Sequence, residues 1–438
     1  MIANKIINMK PEHVFLVLSF IIGLIFATFV PPFGVNDEAA HLFKAYDVSK
    51  GNIIPKSVDV NVPKNLESYH IKTNINELSI NSNGNVFVDM SKQSIIIYPP
   101  LPYLATAMIM KIGEFFNFTT VIIMYIARII NLLIYMVIVY FAIKRTPILK
   151  YVFVLLALMP MTLFLASSAS SDSLTIALSL LVISLFLDLS LNKNQIQKKD
   201  ILIISISTIA LSLTKPTYAL ISLLFFIIPY NNFKNAIDGV ITGICAFLTP
   251  FFISFTWNNL FKHMYSYVDS GFNSCMQAYT YNMSFVSHSP FNFLDLIINT
   301  ILYEGEYLIS KFVVDFGNST DHIPFFISYI YLILILVVSL YDVSDFKLNL
   351  RQKFVGISTF IIIFLAICVA ELITWTPIGH NVISGIQGRY FIPTAPLLFL
   401  IFNNSFKAFS LEKNYKKILL CAVFIFYILL LAYIVLWL

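Results

Sequence analysis

The sequence predicts an all-α, polytopic membrane protein with about eleven transmembrane helices, built as a single integral membrane domain over residues 1–438. Two observations lead to this fold class. Hydrophobic residues make up 58% of the chain and charged residues 12%, whereas a soluble domain is about a quarter charged. The apolar residues also gather into runs close to the roughly 20 residues that an α-helix needs to cross a bilayer.

The apolar runs give the predicted spans in chain order. They lie at roughly 13–31, 120–143, 150–166, 172–191, 200–214, 216–230, 236–257, 323–341, 354–374, 389–403 and 417–437. One more apolar run, 99–117, opens with Pro99 and Pro100 and is interrupted by Lys111 and Glu114. We expect a helix there that does not cross the membrane.

The distribution of Lys and Arg predicts the orientation, because short cytoplasmic loops are enriched in these residues. If 99–117 does not cross and the N-terminus is inside, the basic clusters fall on the cytoplasmic side. These clusters lie at 144–150, 193–199, 347–353 and 407–417. The sequence therefore predicts a multi-pass protein of the cell membrane with a cytoplasmic N-terminus, a first apolar run that acts as a retained signal anchor, and an external C-terminus.

Two long segments, 32–119 and 258–322, then form the extracytoplasmic face. The polar middle of the first segment, 71–98, alternates in places, as in Ser94-Ile-Ile-Ile-Tyr98. Such alternation favours short strands. The second segment contains Gln277 and an amphipathic run at 291–303.

Several classes of function are disfavoured by the composition. The net charge of +5 comes from basic residues in short loops between apolar runs, so no nucleic-acid partner is indicated. No glycine-rich phosphate loop or His-Glu-x-x-His helix is present. The four cysteines are widely spaced, which indicates neither a disulfide framework nor a cysteine metal site.

The first candidate site residues are Asp37, Glu38 and His41, which follow directly after the first predicted span. Asp37 and His41 are four residues apart, so they share one face of a helix. Charged groups at this depth cost free energy unless they have a partner or a task. The alternative is an interfacial helix with an acidic first turn, which helix N-termini favour.

Two further candidates, Asp172 and Lys215, are predicted at the same face. Asp172 ends the run Ser167-Ser-Ala-Ser-Ser-Asp172, and it is equally suited to cap the fourth span. Lys215 sits in the turn Thr214-Lys215-Pro216 with no acidic neighbour in sequence. It either snorkels to the interface or faces an anion.

The third candidate region is 385–393, Gly-Ile-Gln-Gly-Arg-Tyr-Phe-Ile-Pro. Arg389 opens a predicted span, and arginine binds phosphate oxygens with two parallel hydrogen bonds. Gly388 would let the backbone approach a ligand closely. The alternative for Arg389 is an anchor at the membrane interface.

Carboxylates and cations from distant parts of the chain thus converge on one face, while the spans themselves are nearly free of charge. A channel would repeat polar residues along its spans, and a secondary transporter would place charge near the midplane. The combination instead suits an enzyme that holds a lipid-linked phosphate and activates an acceptor hydroxyl. We therefore expect Asp37, Lys215 and Arg389 to meet in one cavity that opens to the lipid, with Asp37 buried in it.

These residues resemble two known groups of proteins. The stretch Asn36-Asp-Glu-Ala-Ala-His41, with Gly51 and Pro55, resembles the first outer loop of glycosyltransferase-C enzymes, and so does Tyr98-Pro-Pro-Leu-Pro-Tyr103 followed by Arg128. A closer resemblance is to the bacterial membrane family called domain of unknown function 2142. It rests on the runs 159–173, 213–218 and 385–393, and on Gln277 with Ser289-Pro290, which occur in order over most of the chain.

The resemblance implies a glycosyltransferase-C-like fold and a polyprenyl-phosphate-linked sugar as donor. It implies a cell-envelope glycan, teichoic acid or lipid as acceptor, with membrane lipids as surroundings. The first-loop Asp of such enzymes is the catalytic base, which here is Asp37, with Glu38 beside it. Lys215 and Arg389 would hold the donor phosphate, and the side chains lining the substrate would be His41, Asp172, Gln387 and Tyr390.

Three points stay open at this stage. Members of the superfamily differ in metal use, so the cofactor is unknown and a divalent metal is compatible with the chain, although its sequence has no clear metal site. The stereochemical outcome of transfer is undetermined. The alternatives to a glycosyltransferase are a non-enzymatic flippase or assembly subunit for lipid-linked sugars, and a ligase that moves a whole glycan.

Overall fold

The computed structural model describes residues 9–64, 66, 80, 84–90, 93–192, 195–264, 275–316, 323–342, 344–377, 379–403, 423, 426 and 427, and for 263 and 275–280 it describes the backbone alone. The described part is an α-helical bundle with one small sheet. Its α-helices are Pro11–Phe29, Glu38–Ser49, Leu104–Phe115, Thr120–Arg145, Lys150–Ala157, Pro160–Ala166, Asp172–Leu191, Lys198–Ser212, Ala236–Thr242, Thr249–Phe261, Cys275–His288, Pro290–Val313, Phe325–Tyr341, Leu350–Thr374 and Ala395–Phe399.

Five helical stretches in the described part are long and apolar enough to cross a membrane. They are Pro11–Phe29, Thr120–Arg145, Asp172–Leu191, Ala236–Phe261 and Leu350–Thr374, and three shorter apolar stretches accompany them at Pro216–Ile227, Phe325–Tyr341 and Gly388–Phe402. An all-α membrane protein is therefore confirmed. The number of eleven spans stays a prediction, and the last predicted span, 417–437, lies almost wholly outside the described residues.

Prolines explain where the helices differ from the predicted spans. The run 150–166 is not one helix but two, because Pro160 begins the second and cannot donate a backbone hydrogen bond to the first. The run after Lys215 winds as a 3₁₀-helix, Pro216–Ile227. Gly388–Thr394, which contains Pro393, is also a 3₁₀-helix. A π-helical turn, Gly243–Leu248, interrupts Ala236–Phe261 just before Pro250.

The helix Asp172–Leu191 lies at the centre of the bundle. It is apolar on all sides and 83% of its apolar stretch is buried, as expected for a helix surrounded by others. Helix Thr120–Arg145, helix Lys198–Ser212 and the 3₁₀-helix Pro216–Ile227 pack around it. Since the helix begins at Asp172, this packing fixes the carboxyl group of Asp172 at one end of the bundle core.

The described residues of segment 32–119 form a separate layer with its own apolar core. Helix Glu38–Ser49 packs against helix Leu104–Phe115 and against strand β1, Asp59–Pro63. Strand β1 pairs antiparallel with β2, Asn85–Asp89, with Val60 opposite Val88 and Val62 opposite Val86. Buried residues of this core include Leu42, Phe43, Val60, Val62, Ile96 and Tyr103.

The predicted strands within 71–98 are only partly observed. Strand β2 lies in this range, but residues 71–79 are outside the described part. The alternation at 94–98 was misleading, because Ser94–Ile97 is a 3₁₀-helix. Its carbonyl groups have non-strand partners: the buried Lys44 amine donates to the Ile96 carbonyl at 3.0 Å, and the Trp257 indole donates to the Ile97 carbonyl at 2.6 Å.

Helix Leu104–Phe115 has 12 residues, about 18 Å at 1.5 Å per residue, which is too short to cross a bilayer of roughly 30 Å. We predict that the exposed position Phe116 lies outside the cell and Lys144, at the end of the next helix, lies inside. With the four native cysteines replaced, a membrane-impermeant thiol reagent should label Phe116→Cys in intact cells. It should label Lys144→Cys only after the cells are opened, and labelling of Lys144→Cys in intact cells would contradict the predicted orientation.

Candidate active site

Four charged side chains from four separate stretches of the chain meet at one end of the bundle. Arg389 Nη2 donates to Asp37 Oδ2 at 2.6 Å, and Arg389 Nη1 lies 3.9 Å from Asp172 Oδ2. The Lys215 amine donates to Asp172 Oδ1. Asp37, Asp172, Lys215 and Arg389 therefore form one continuous network of two carboxylates and two cations. The structure brings together the residues that the sequence analysis selected from positions up to 352 residues apart.

Asp37 lies at the entrance of this network. Its backbone is left-handed (φ 64°), a conformation that Asp tolerates better than most residues, and helix Glu38–Ser49 begins immediately after it. The side chain makes no cap for that helix. Instead it points to Arg389 and is 44% exposed. Asp37 is thus exposed, whereas the sequence predicts that it is buried in the cavity.

Lys215 and Arg389 are held inside the protein. The side chain of Arg389 is 3% exposed and that of Lys215 is 12% exposed, so neither snorkels to an interface. The Lys215 amine lies over the rings of Tyr98 and Tyr390, 5.4 Å and 5.9 Å from their centroids. The interface-anchor alternatives for both cations are therefore not supported by their positions.

Asp172 does not cap the helix that follows it, which was the alternative role for this residue. The residue before the helix is Ser171, and Asp172 is the first helical residue. Its carboxyl group turns toward Lys215 and Arg389 and is 13% exposed. Two cations beside one buried carboxylate account for its charge, because a buried charge needs an ion partner.

Glu38 does not line the site, although the sequence analysis placed it beside Asp37 as a catalytic residue. Its side chain is fully buried and accepts from Arg128 through two bonds, Nε to Oε1 at 2.8 Å and Nη2 to Oε2 at 2.6 Å. The backbone N–H of Ala169 also donates to Oε1 at 3.1 Å. Arg128 in turn donates to the carbonyl groups of Ala27, Val30 and Pro31. With both oxygens occupied, Glu38 joins the layer 32–119 to the bundle and has no free atom for substrate.

His41 lies in the first turn of helix Glu38–Ser49, whereas Asp37 precedes this helix, so the two do not share a helix face as predicted. Its Nδ1 is 2.8 Å from the Tyr103 hydroxyl, at hydrogen-bond distance, and the two rings stack. Burial lowers the pKa of His41 to about 4, even though Asp172 and Asp37 act in the opposite direction. The imidazole is therefore neutral at physiological pH. The two carboxylates and two cations of the network balance each other, so His41 adds no charge to it.

The network lines a cavity of about 140 Å³. The wall is formed by Asp37, His41, Gln93, Ser94, Ile95, Tyr98, Lys215, Trp375, Gly385, Gln387, Arg389 and Tyr390. Seven of the eight candidate residues are thus in the network or the cavity wall, and Glu38 is the exception. Tyr98 is predicted only as part of a motif, and Gln93–Ile95 are not among the predicted site residues, because nothing in a polar loop links them to residues so far away.

A larger groove of about 520 Å³ adjoins this cavity. Ser94, Tyr98, Lys215 and Tyr390 line both, so the charged network stands at the junction. The groove runs between the 3₁₀-helix Pro216–Ile227 and the helices Thr249–Phe261 and Leu350–Thr374. Its wall is mainly apolar and aromatic, with Tyr218, Leu220, Phe251, Phe255, Ile367, Val369 and Ile373 among its residues.

Three buried polar atoms around the two cavities have no hydrogen-bond partner among the described residues: Gln387 Oε1, Arg389 Nε and Glu371 Oε2. Buried polar groups in proteins are nearly always hydrogen-bonded. Atoms of this kind, gathered beside a cavity, are typical of a binding site for a polar ligand. Glu371 is also absent from the predicted site residues, although an acid near the end of a predicted span is itself a signal of function.

Gly388 has a different task from the predicted approach to a ligand. A Cβ added at this position would lie 1.9 Å from the Leu308 carbonyl oxygen and 2.5 Å from the Phe312 nitrogen. The glycine therefore lets helix Pro290–Val313 pack directly on the turn that carries Arg389. It positions Arg389 through packing.

The described part of the chain contains no group of three His, Cys, Asp or Glu side chains placed to hold a metal ion. The carboxylates of Asp37 and Asp172 are instead paired with Arg389 and Lys215. Gln277, quoted for the family resemblance, lies in helix Cys275–His288, but its side chain is outside the described set.

Comparison with known proteins gives one match. The family model described as a predicted membrane protein, DUF2142, matches residues 20–398. This range includes every residue of the charged network and both cavities. No curated protein and no solved structure matches the chain.

Proposed function

The chain belongs to the DUF2142 family of predicted membrane proteins, and we propose that it is a glycosyltransferase that moves a sugar from a polyprenyl-phosphate donor to a cell-envelope acceptor on the outer face of the membrane. One observation carries this proposal. An accessible carboxylate, Asp37, lies in a network with the buried Arg389 and the partly buried Lys215, and the network stands where a small polar cavity meets a larger apolar groove.

The apolar groove suits the lipid part of the donor. Its volume of about 520 Å³ falls within the usual range for ligand pockets, roughly 300–1,000 Å³. The first isoprene units would pack on Phe251, Phe255 and Ile367, and the rest of the chain would extend into the bilayer. The phosphate would then reach Lys215, which lies at the junction of groove and cavity.

Lys215 and Arg389 suit the phosphate. Arg389 is buried and Lys215 is largely shielded from solvent, and charge-assisted hydrogen bonds to phosphate gain strength where water is excluded. Asp37 occupies one arm of the Arg389 guanidinium. A donor phosphate competes with Asp37 for this arm, so binding of the donor would release the carboxylate of Asp37 for catalysis.

In the transfer step Asp37 removes the proton from the acceptor hydroxyl. The acceptor oxygen forms a bond to the anomeric carbon of the sugar, and the bond from that carbon to the phosphate oxygen breaks. The electron pair leaves with polyprenyl phosphate, whose added charge is stabilised by Arg389 and Lys215. His41, Gln387 and Tyr390 form the wall around the sugar, and Asp172 holds the two cations in position.

We predict that Arg389→Lys is nearly as damaging as Arg389→Ala. The planar guanidinium faces two carboxylates at once, whereas a lysine amine is a point charge that cannot replace both arms. Loss of one charge-assisted hydrogen bond should slow transfer roughly 10- to 150-fold. Lys215→Arg should be milder, because a guanidinium keeps the charge and can also donate to Asp172, the one carboxylate that the Lys215 amine contacts.

The measurement is sugar transfer from a synthetic short-chain polyprenyl-phosphate donor by purified variants of equal thermal stability. Full activity of Arg389→Lys would contradict the proposal that the donor phosphate needs both arms of the Arg389 guanidinium. Full activity of Arg389→Ala would remove Arg389 from the site.

The apolar groove also favours one rival, a non-enzymatic flippase or assembly subunit for the same lipid-linked sugars, because such a protein must hold the same lipid. The rival requires no base. Asp37 therefore separates the two: an enzyme loses its product when Asp37 is replaced by Asn, whereas a flippase keeps its function.

A further inference from the structure

Glu371 is a partly buried acid that the proposed transfer step does not use. It lies in the last turn of helix Leu350–Thr374, with Oε2 buried and without a hydrogen-bond partner among the described residues. An acidic side chain is unfavourable at the C-terminus of a helix, where the helix dipole is negative. A polar group without a partner in an apolar setting adds a further cost.

No packing role explains this arrangement. The nearest cations in the site, Lys215 and Arg389, are already paired with Asp172 and Asp37. Glu371 contributes its backbone carbonyl to the Trp375 N–H and the Thr376 hydroxyl, but any residue would provide that carbonyl. Burial of Glu371 Oε2 without a hydrogen-bond partner costs free energy, and a ligand that donates a hydrogen bond would offset this cost.

The position of the carboxyl group indicates which part of a ligand it meets. Glu371 lines the large groove together with Lys215 and Tyr390. On its other side, a Cβ added to Gly385 would lie 2.7 Å from Glu371 Oε2, and Gly385 lines the small cavity. Glu371 therefore stands at the wall between the two cavities, on the side where Gln387 also has an unpartnered buried oxygen.

We infer that Glu371, together with Gln387, binds hydroxyl groups of the sugar on the donor and determines which sugar the protein accepts. This inference rests on the proposed function, in which the part of the donor that lies between the phosphate and Asp37 is a sugar. A pyranose presents several hydroxyl groups that donate hydrogen bonds, and two buried acceptors match them. A sugar whose hydroxyl group points away from Glu371 or Gln387 should bind more weakly, because the buried acceptor then has no hydrogen-bond partner.

The test separates the sugar from the lipid phosphate by binding. The probes are farnesyl phosphate and farnesyl phosphate linked to glucose, galactose or mannose, each titrated into the purified full-length protein. The quantity is the ratio of the Kd for farnesyl phosphate to the Kd for the best-bound glycosylated probe. Glu371→Met is the main variant, because methionine keeps the length and removes an unpartnered polar group. Ile362→Ala, at an exposed position of the same helix, is the matched control.

We expect the ratio to exceed one in the wild type and to fall about 5-fold or more in Glu371→Met, the cost of leaving one buried hydrogen-bonding group of the sugar without a partner. The Kd for farnesyl phosphate should stay unchanged, and Ile362→Ala should match the wild type. An unchanged ratio in Glu371→Met, an equal loss of affinity for all four probes, or a wild-type ratio of one would each overturn the inference. If the wild-type protein has a Kd ratio above one but transfers no sugar, the result contradicts the proposed function and not the role of Glu371 in binding the sugar.

Discussion

Asp37→Asn should lower kcat for sugar transfer by about 10²- to 10⁴-fold, the usual contribution of a positioned general base. Asparagine has the shape of aspartate and its amide oxygen still accepts a hydrogen bond from Arg389, so the fold and the entrance to the cavity should be unaffected. It has no basic group for the acceptor proton.

The same variant should not raise KM for the donor. In the wild type the Asp37 carboxylate competes with the donor phosphate for Arg389, 2.6 Å away. A neutral amide competes less, so KM should stay the same or fall while kcat falls. Purified protein and a synthetic short-chain polyprenyl-phosphate sugar give both constants.

The matched control for Asp37 is Asp59→Asn, the same change at an exposed aspartate of strand β1 in the same layer. It should leave both constants unchanged. Wild-type kcat in Asp37→Asn would exclude Asp37 as the base. A raised KM with unchanged kcat would make it a binding residue.

Glu38→Ala should lower the free energy of unfolding by about 3–5 kcal/mol, the usual cost of removing one partner from a buried ion pair. Glu38 and Arg128 are both fully buried, and the variant would leave the guanidinium with only backbone carbonyl groups as acceptors. The loss should appear as a lower Tm in detergent and a lower amount of protein in the membrane.

Two further variants test the cause of that loss. The double variant Glu38→Gln with Arg128→Met leaves no unpaired charge, so it should recover much of the lost stability. Glu114→Ala breaks the partly exposed pair between Glu114 and Lys50 and should cost no more than about 1 kcal/mol. A Glu38→Ala protein with the Tm of the wild type but without transfer activity would contradict the structural role and support the catalytic role predicted from sequence.

The contrast between Asp37 and Glu38 illustrates what sequence reasoning can reach. Both residues are predicted as site residues, because charges near a membrane need a partner or a task. Their different roles do not follow from the sequence, because the partner of Glu38 is 90 residues away and that of Asp37 is 352 residues away. Sequence spacing gives contacts within a helix, whereas these pairs are decided by how the helices pack.

The predicted spans show the same division. The ends of Thr120–Arg145 and Asp172–Leu191 lie within two residues of their predicted ranges, because length and apolar composition suffice to define a long membrane helix. The run 150–166 breaks at Pro160, and the turns at Lys215 and Arg389 wind as 3₁₀-helices. Gly388 was assigned to a ligand, although its neighbour is the backbone of Leu308, a contact that no local pattern encodes.

The most direct test of the account is the composition of the surface glycans and lipids in three strains that carry the wild-type gene, no gene, or the Asp37→Asn variant. Mass spectrometry of the purified polymers and glycolipids measures the sugars, and quantification of the membrane protein verifies equal amounts of the two proteins. The account predicts that one sugar is missing from the same product in the deletion strain and in the Asp37→Asn strain. An Asp37→Asn strain with the complete product of the wild type, beside a deletion strain that lacks it, would contradict the account and favour a flippase or assembly subunit.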